Sequence, residues 1–246
     1  MTALKPMAKS SSDWTRNELA AYNIKVDYQD AATFFEIDRD NLPQPDINPD
    51  ILTTSDPNDV ADDDVSELLR TMEFAMSPAP AEESAVDDFT VLLLRALGYT
   101  KKRRVPRTRK VNPFVVCSED RHAETDVCII DENGILLLVM QEDKCHIDSS
   151  YDPEPQLIAE AIAAFAANNQ TRQQILCQRP LDSKIEVTAA LVTAVAGGVY
   201  PEASTTVYAH IPNVPRPDRR WREGMEPFDS RAVIISCYEA FKKFVN

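Results

Sequence analysis

Hydrophobic residues are distributed along this chain in two ways. Up to about residue 65 they form short islands with no sustained period; beyond it they recur at the spacings of helices and strands. The island VSELLRTMEFAM (65–76) predicts a short helix, and Pro78 and Pro80 mark a boundary after it. In AEESAVDDFTVLLLRALGY, Val86, Phe89, Leu93 and Leu97 share one helical face, acids crowd the start, Arg95 lies near the end and Gly98 supplies the stop. VNPFVVC (111–117) reads as a strand, and because Pro113 cannot donate to a ladder an edge position or a bulge is expected. A polar loop, SEDRHAE, leads to TDVCIID and ILLLVMQEDK, two strands bracketing Glu132-Asn133-Gly134. The second is apolar on both faces, as expected of a central strand covered on each side.

PQLIAEAIAAFAANN predicts a buried helix, and KIEVTAALVTAVAGG a short strand running into a helix stopped by Gly197-Gly198. TTVYAHI (205–211) alternates as a strand does, VPRPDRRWREGM is a basic loop, and AVIISCYEAFKKFV is a closing helix. Interleaved elements of this kind predict an α/β domain over residues 81–246, with a central mixed sheet flanked by helices.

Charge changes the picture at both ends. The formal net charge of −14 is uneven: residues 1–80 hold 16 acids and 6 bases, and residues 81–246 hold 24 acids and 20 bases. With DNLPQPDINPDILTTSDPNDVADDD at its centre, residues 1–80 read as an acidic, mostly disordered tail, too poor in apolar surface to offset the entropy of ordering. Such a tail repels nucleic acid from its neighbours, meets a basic protein partner, or keeps the chain soluble. Immediately after the helix at 81–98 the sign reverses. KKRRVPRTRK places Lys101, Lys102, Arg103, Arg104, Arg107, Arg109 and Lys110 within ten residues. This run reads as a loop that contacts phosphates by displacing counterions, or as a solvated loop or nuclear import signal.

Several function classes drop out. Neither GxGxxG nor GxxxxGK[ST] occurs, and five glycines leave little material for a phosphate-cradling loop. The N-terminus lacks the apolar core of a signal peptide, and apolar runs such as Ile135–Met140 are far too short for a membrane span. The five cysteines are scattered without a CxxC pair, which suits reduced thiols of an intracellular protein, nuclear or cytoplasmic.

The chemistry with most promise lies on the hairpin, and its register decides it. A two-residue loop, Asn133-Gly134, sets Asp126 opposite Gln141 and sends Glu142 to the other side of the sheet. A three-residue loop, Glu132-Asn133-Gly134, sets Asp126 opposite Met140 and puts Asp126, Glu142 and Lys144 on one face. Two carboxylates that close need a cation, and hard oxygen ligands suit Mg²⁺ or Mn²⁺. The metal would polarise a phosphoryl oxygen and activate water, with Lys144 steadying developing charge. The plainer alternative is that Asp126 caps its strand and Glu142 and Lys144 form an exposed pair worth little.

The Asp126, Glu142, Lys144 spacing resembles the signature of the PD-(D/E)XK, or restriction endonuclease-like, nuclease superfamily over roughly residues 83–169. The resemblance implies a core of a helix, a three-stranded meander, a helix and a further strand. It makes Glu83, or Asp87 one turn later, the first acid, Asp126 and Glu142 the metal ligands, Lys144 the ammonium, and Gln156 a further site residue on the next helix. QEDKCHIDSSYDPEPQLIAEAIAAFAANN and YEAFKKFV are also similar to a group of uncharacterised fungal proteins with this fold. The chain departs from the pattern in having Thr125 before Asp126 instead of proline, and in compressing a strand region into TRQQILCQRPLDSKIEV. Two functions follow as expectations: a metal-dependent phosphodiesterase acting on DNA or RNA, or an inactive nuclease-fold module that binds nucleic acid or protein.

Overall fold

Thr15, Asp30 and Asp62 belong to the polar, proline-rich N-terminal third, and each starts a helix there. Thr15 forms a reciprocal capping box with Glu18, Asp30 accepts from the Thr33 amide, and Asp62 accepts from the amides of Asp64 and Val65. The computed structural model describes residues 6–38, 41–77, 84–101, 103–140, 152–175 and 187–245. Its elements are α1 (Arg16–Ala21), β1 (Ile24–Tyr28), α2 (Ala31–Phe35), α3 (Asp50–Thr53), α4 (Asp63–Met76), α5 (Ser84–Ala96), β2 (Arg104–Val116), β3 (Glu119–Asp131), β4 (Leu136–Met140), α6 (Glu154–Ile175), α7 (Ala189–Gly197), β5 (Thr205–Ala209), α8 (Arg220–Glu223) and α9 (Phe228–Phe241).

The expected disordered tail over 1–80 is therefore corrected for its described residues, which contribute four helices and a strand. Its apolar islands are too short to show a period, but their large side chains are buried: Trp14, Tyr22, Phe35 and Leu69 all lie in cores. Trp14 stacks on Tyr22 at 5.5 Å between ring centroids and tilts against Phe114 at 5.6 Å. The Asp, Asn and Thr residues that suggest disorder by composition act here as caps, because the same short side chains that compete with helix interiors complete helix starts.

The fold is mixed α/β, yet among the described residues the strands form two sheets instead of one central mixed sheet. The first is an antiparallel meander in the order β2-β3-β4. The second joins β1 to β5 in parallel, from Ile24↔Thr205 to Tyr28↔Ala209. The strand expected near 205 is present, but its partner comes from the supposed tail.

The chain divides into two compact units, each assembled from separated segments. Unit 1 takes its described residues from 6–28, 103–140, 152–175 and 187–209, and unit 2 from 29–38, 41–77, 84–101 and 210–245. In unit 1, Ile158 and Ile162 of α6, Leu191 and Val195 of α7, Phe114 of β2 and Tyr22 share one apolar core. In unit 2, α4 packs on α5, and the Tyr99 hydroxyl after α5 donates to the Tyr238 carbonyl of α9 at 2.6 Å. Leu93 and Leu97 are buried as their spacing predicts.

Two predicted loops are strands. The basic run becomes β2 from Arg104 onward, and SEDRHAE supplies the first half of β3, paired without a register shift from Arg104↔Asp131 to Val116↔Glu119. Each strand gives the other the ladder that its polar sequence hid. β2 is the outer strand of its sheet, which is where Pro113, and equally Pro106, can be accommodated. The β2–β3 turn uses Cys117 and Ser118, both left-handed at φ 53° and 65°. Their amides donate to the Val195 and Ala196 carbonyls at 3.0 and 2.5 Å, so the end of α7 holds the turn. Gly198 is needed beside it, since a Cβ there would lie 2.8 Å from Cys117 Sγ.

Candidate functional site

The β3–β4 connection is the three-residue loop. Asp131 Oδ1 accepts from the Asn133 and Ile135 amides at 2.9 and 2.8 Å, the Gly134 amide donates to the Asp131 carbonyl at 3.0 Å, and Gly134 takes the left-handed position at φ 79°. The register beyond it differs from the one that loop length implies. Ile130 pairs with Leu136, but Ile129 pairs with Leu138 and Val127 with Met140, so a bulge absorbs one residue of β4. Asn168 of α6 sits at this point: the Leu136 amide donates to its Oδ1 and its Nδ2 donates to the Leu136 carbonyl, both at 2.8 Å. The expectation that Met140 faces Asp126 is therefore corrected to Val127, so the pairing on which the one-face arrangement of Asp126, Glu142 and Lys144 depended is not present. Glu142 and Lys144, like Glu83 and Lys102, lie outside the described residues.

Asp126 occupies a break in the β2–β3 ladder. Thr108↔Val127 and Lys110↔Thr125 flank it, and the β2 residue at that step, Arg109, has a left-handed backbone at φ 50°. A non-glycine residue there costs on the order of 1 kcal/mol or more, and such strain gathers at functional positions. Arg107 and Arg109 are exposed, Arg104 and Lys110 are half-buried, and Arg103 just before the strand pairs with Glu132 at 2.8 Å. Lys101 is exposed and belongs to unit 2. Five of the seven predicted nucleic-acid contacts thus follow one another along and just before β2, on a strand instead of a loop.

Gln156 lies in the first turn of α6, and its Nε2 donates at 3.0 Å to Oε1 of Glu160, one turn further on. Sequence reasoning missed Glu160, which sits within the Ala-rich helical run and shows 0% exposure. Its Oε2 has no hydrogen-bond partner. Burial, aided by the nearby Asp126 and Glu124 carboxylates, pushes its pKa up to about 8, against the Gln156 hydrogen bond. A buried acid in the run AEAIAAFAANN was the available signal, since acids are almost never fully buried without a partner.

Other buried polar groups lie on β2 and β3. Lys110 Nζ donates to Asn112 Oδ1 at 3.0 Å, while Asn112 Nδ2 and Thr125 Oγ1 have no hydrogen-bond partner. Cys128 is fully buried, and burial pushes its thiol up to about 11 against the field of Lys110 and Arg107, which leaves it unsuited to nucleophilic work. Glu160 thus meets Gln156 through a hydrogen bond and feels the charges of Asp126 and Glu124, while Lys110 and Arg107 of β2 act on Cys128 of the same strand as Asp126. Asp87, the alternative first acid, is buried on α5 in unit 2, whereas Asp126 belongs to unit 1.

Among the described residues no three His, Cys, Asp or Glu side chains are arranged to hold a metal ion. The second basic stretch is different in kind. Arg216 is held by Glu223 at 2.7 Å and Asp229 at 2.6 Å, which draws both carboxylates below their usual range, and it lines a cleft of about 610 Å³ with Arg219, Glu223 and Arg231. Its charge is answered within unit 2.

No helix among the described residues is long and apolar enough to cross a membrane. Compared with protein-family models, with curated proteins and with solved structures, the chain matches none.

Proposed function

We propose that the protein binds the phosphodiester backbone of nucleic acid along the first half of β2, as a binding or regulatory module. The observation that carries this reading is the run of Arg104, Arg107, Arg109 and Lys110 on the outer strand of a sheet, with Arg107 and Arg109 exposed. Arg107 and Arg109 are two residues apart on this strand, close enough for both guanidinium groups to reach one phosphodiester backbone. The acidity of the chain falls mainly elsewhere: unit 1 holds 18 acids and 14 bases, unit 2 holds 22 acids and 12 bases. Fluorescence anisotropy with labelled single- and double-stranded DNA and RNA tests the reading across a salt series. Arg107→Ala combined with Arg109→Ala is expected to weaken binding and to flatten the log–log salt dependence by about one unit per lost contact. Unchanged affinity and slope would remove β2 from the interface.

A second reading is a metal-dependent phosphodiesterase of the restriction endonuclease-like type, with Asp126, Glu142, Lys144 and Gln156 in its centre. The clustering of Asp126 and Gln156 about the unsatisfied carboxylate of Glu160 favours it. Mg²⁺- or Mn²⁺-dependent cleavage that EDTA stops, and that Asp126→Asn, Glu142→Ala and Lys144→Ala each abolish, is its expected result. Binding without cleavage under all these conditions selects the module.

A further inference from the structure

We infer that the cleft of about 610 Å³ in unit 2 binds a free basic amino acid of the lysine or arginine class. It stands apart from the β2 surface and follows from which charges around the cleft are answered. Arg216 is answered in full directionality by acids: Nε donates to Glu223 at 2.7 Å, and Nη1 and Nη2 donate to the two oxygens of Asp229 at 3.0 and 2.6 Å. This fork-to-fork pairing makes Arg216 part of the wall.

Three other charged side chains line the same space and are left open. Arg219 is exposed and makes a single side-chain hydrogen bond, to Glu223 at 3.3 Å, which leaves most of its five N–H groups for a guest. Glu73 of α4 and Glu226 are exposed, and among the described residues nothing donates to their carboxylates. The frame that carries them is fixed. The Glu226 amide donates to the Glu223 carbonyl at 2.9 Å, and the Glu226 carbonyl accepts from Nη2 of the buried Arg231 at 3.0 Å. The Arg219 amide donates to the Arg216 carbonyl at 3.0 Å. A guest therefore orders little backbone when it binds.

Charge selects the guest. Glu73, Glu223, Glu226 and Asp229, set against Arg216, Arg219 and Arg231, leave one negative charge in excess. Lysine and arginine carry one net positive charge, as two cationic groups and a carboxylate. Arg219 takes the carboxylate, Glu73 and Glu226 take the cationic groups, and the aliphatic stem lies against Met72 and Pro227, which also line the cleft. An acidic amino acid adds to the excess, and an aliphatic one leaves a carboxylate of the cleft unanswered.

Calorimetric titration of the full chain with L-lysine and L-arginine at low salt tests the site. Saturable binding with Kd of about 1 mM or below is expected. L-Glutamate, L-norleucine and cadaverine, which lack one or other of the charged groups, are expected to bind at least about tenfold more weakly. Arg219→Gln, Glu73→Gln and Glu226→Gln are each expected to weaken lysine binding about tenfold, and Glu67→Gln, on α4 outside the cleft lining, to leave it unchanged. In protein labelled at its methionine methyl carbons, the Met72 signal, assigned through Met72→Leu, shifts as lysine is added. Far-ultraviolet circular dichroism confirms that each variant is folded. Absence of saturable binding over the millimolar range overturns the inference, and so does parental affinity in folded Arg219→Gln and Glu226→Gln. Cadaverine or glutamate binding as tightly as lysine overturns the assignment of the guest. A Met72 signal that stays in place while lysine binds puts the guest elsewhere and overturns the site.

Discussion

Arg231 in unit 2 and Glu160 in unit 1 are both ionisable and both buried, at 2% and 0% exposure, and they are treated in opposite ways. Arg231 on α9 has four of its five N–H groups answered by backbone carbonyls. Its Nε donates to the Met225 carbonyl at 2.8 Å, Nη1 to Ile51 at 2.8 Å and Thr54 at 3.1 Å, and Nη2 to Glu226 at 3.0 Å, while its guanidinium carbon lies 5.2 Å from the centre of the Phe228 ring. Glu160 has one hydrogen bond and like-charged neighbours. A buried charge answered by four backbone carbonyls ties the segments it bridges, here the loop after α8 and the end of α3. A buried acid left half answered adds no such tie, and burial beside like charges keeps its proton on to higher pH.

That contrast breaks most visibly at Arg231. Arg231→Ala strips four backbone carbonyls of their donor and leaves a cavity, and is expected to cost about 4 kcal/mol of stability. Urea denaturation measures it, and a loss under about 1 kcal/mol would show that Arg231 does not tie unit 2 together.

The opposite sign is expected at Glu160. Its native pKa of about 8 lies above the unfolded value near 4.3, so the folded state retains a proton that the unfolded state gives up as pH rises. Stability from this group is complete below about pH 4 and falls as pH climbs to about 8. Glu160→Gln removes that slope, and at pH 8 the variant is expected to be more stable than the parent by about 1–3 kcal/mol. Urea midpoints at pH 5.5 and 8.5 decide it; parallel pH dependences in parent and variant would mean that Glu160 is not held protonated.

Arg109 sharpens the comparison with the smallest effect. Replacing its left-handed residue by glycine, Arg109→Gly, is expected to raise stability by up to about 1 kcal/mol while lowering nucleic-acid affinity. Lower stability and full affinity together would assign the kink to packing.

Much of this was legible where a pattern repeats. Leu93 and Leu97 announced the buried face of α5, Pro113 announced an outer strand, and Gly134 announced the left-handed close of the β3–β4 loop. The N-terminal third was misread because Thr15, Asp30 and Asp62 serve as caps, a use that composition cannot separate from disorder. The basic run looked like a loop because an outer strand tolerates polar residues that a central strand would not. Of the candidate site, Asp126 was singled out by its spacing from Glu142 and Lys144, and Gln156 by the resemblance. Glu160 was not, because its burial depends on what α6 covers.

Sequence alone determined which segments are helices or strands wherever a period of 3.6 or 2 persists, since that information is local to the segment. Tertiary structure decided the rest: that β5 pairs with β1, that a bulge beside Asn168 moves Met140 opposite Val127, and that Glu160 is enclosed beside Asp126. Pairing, register and burial are set by groups far apart in the chain, Asn168 being 32 residues from Leu136, so no window of sequence contains them.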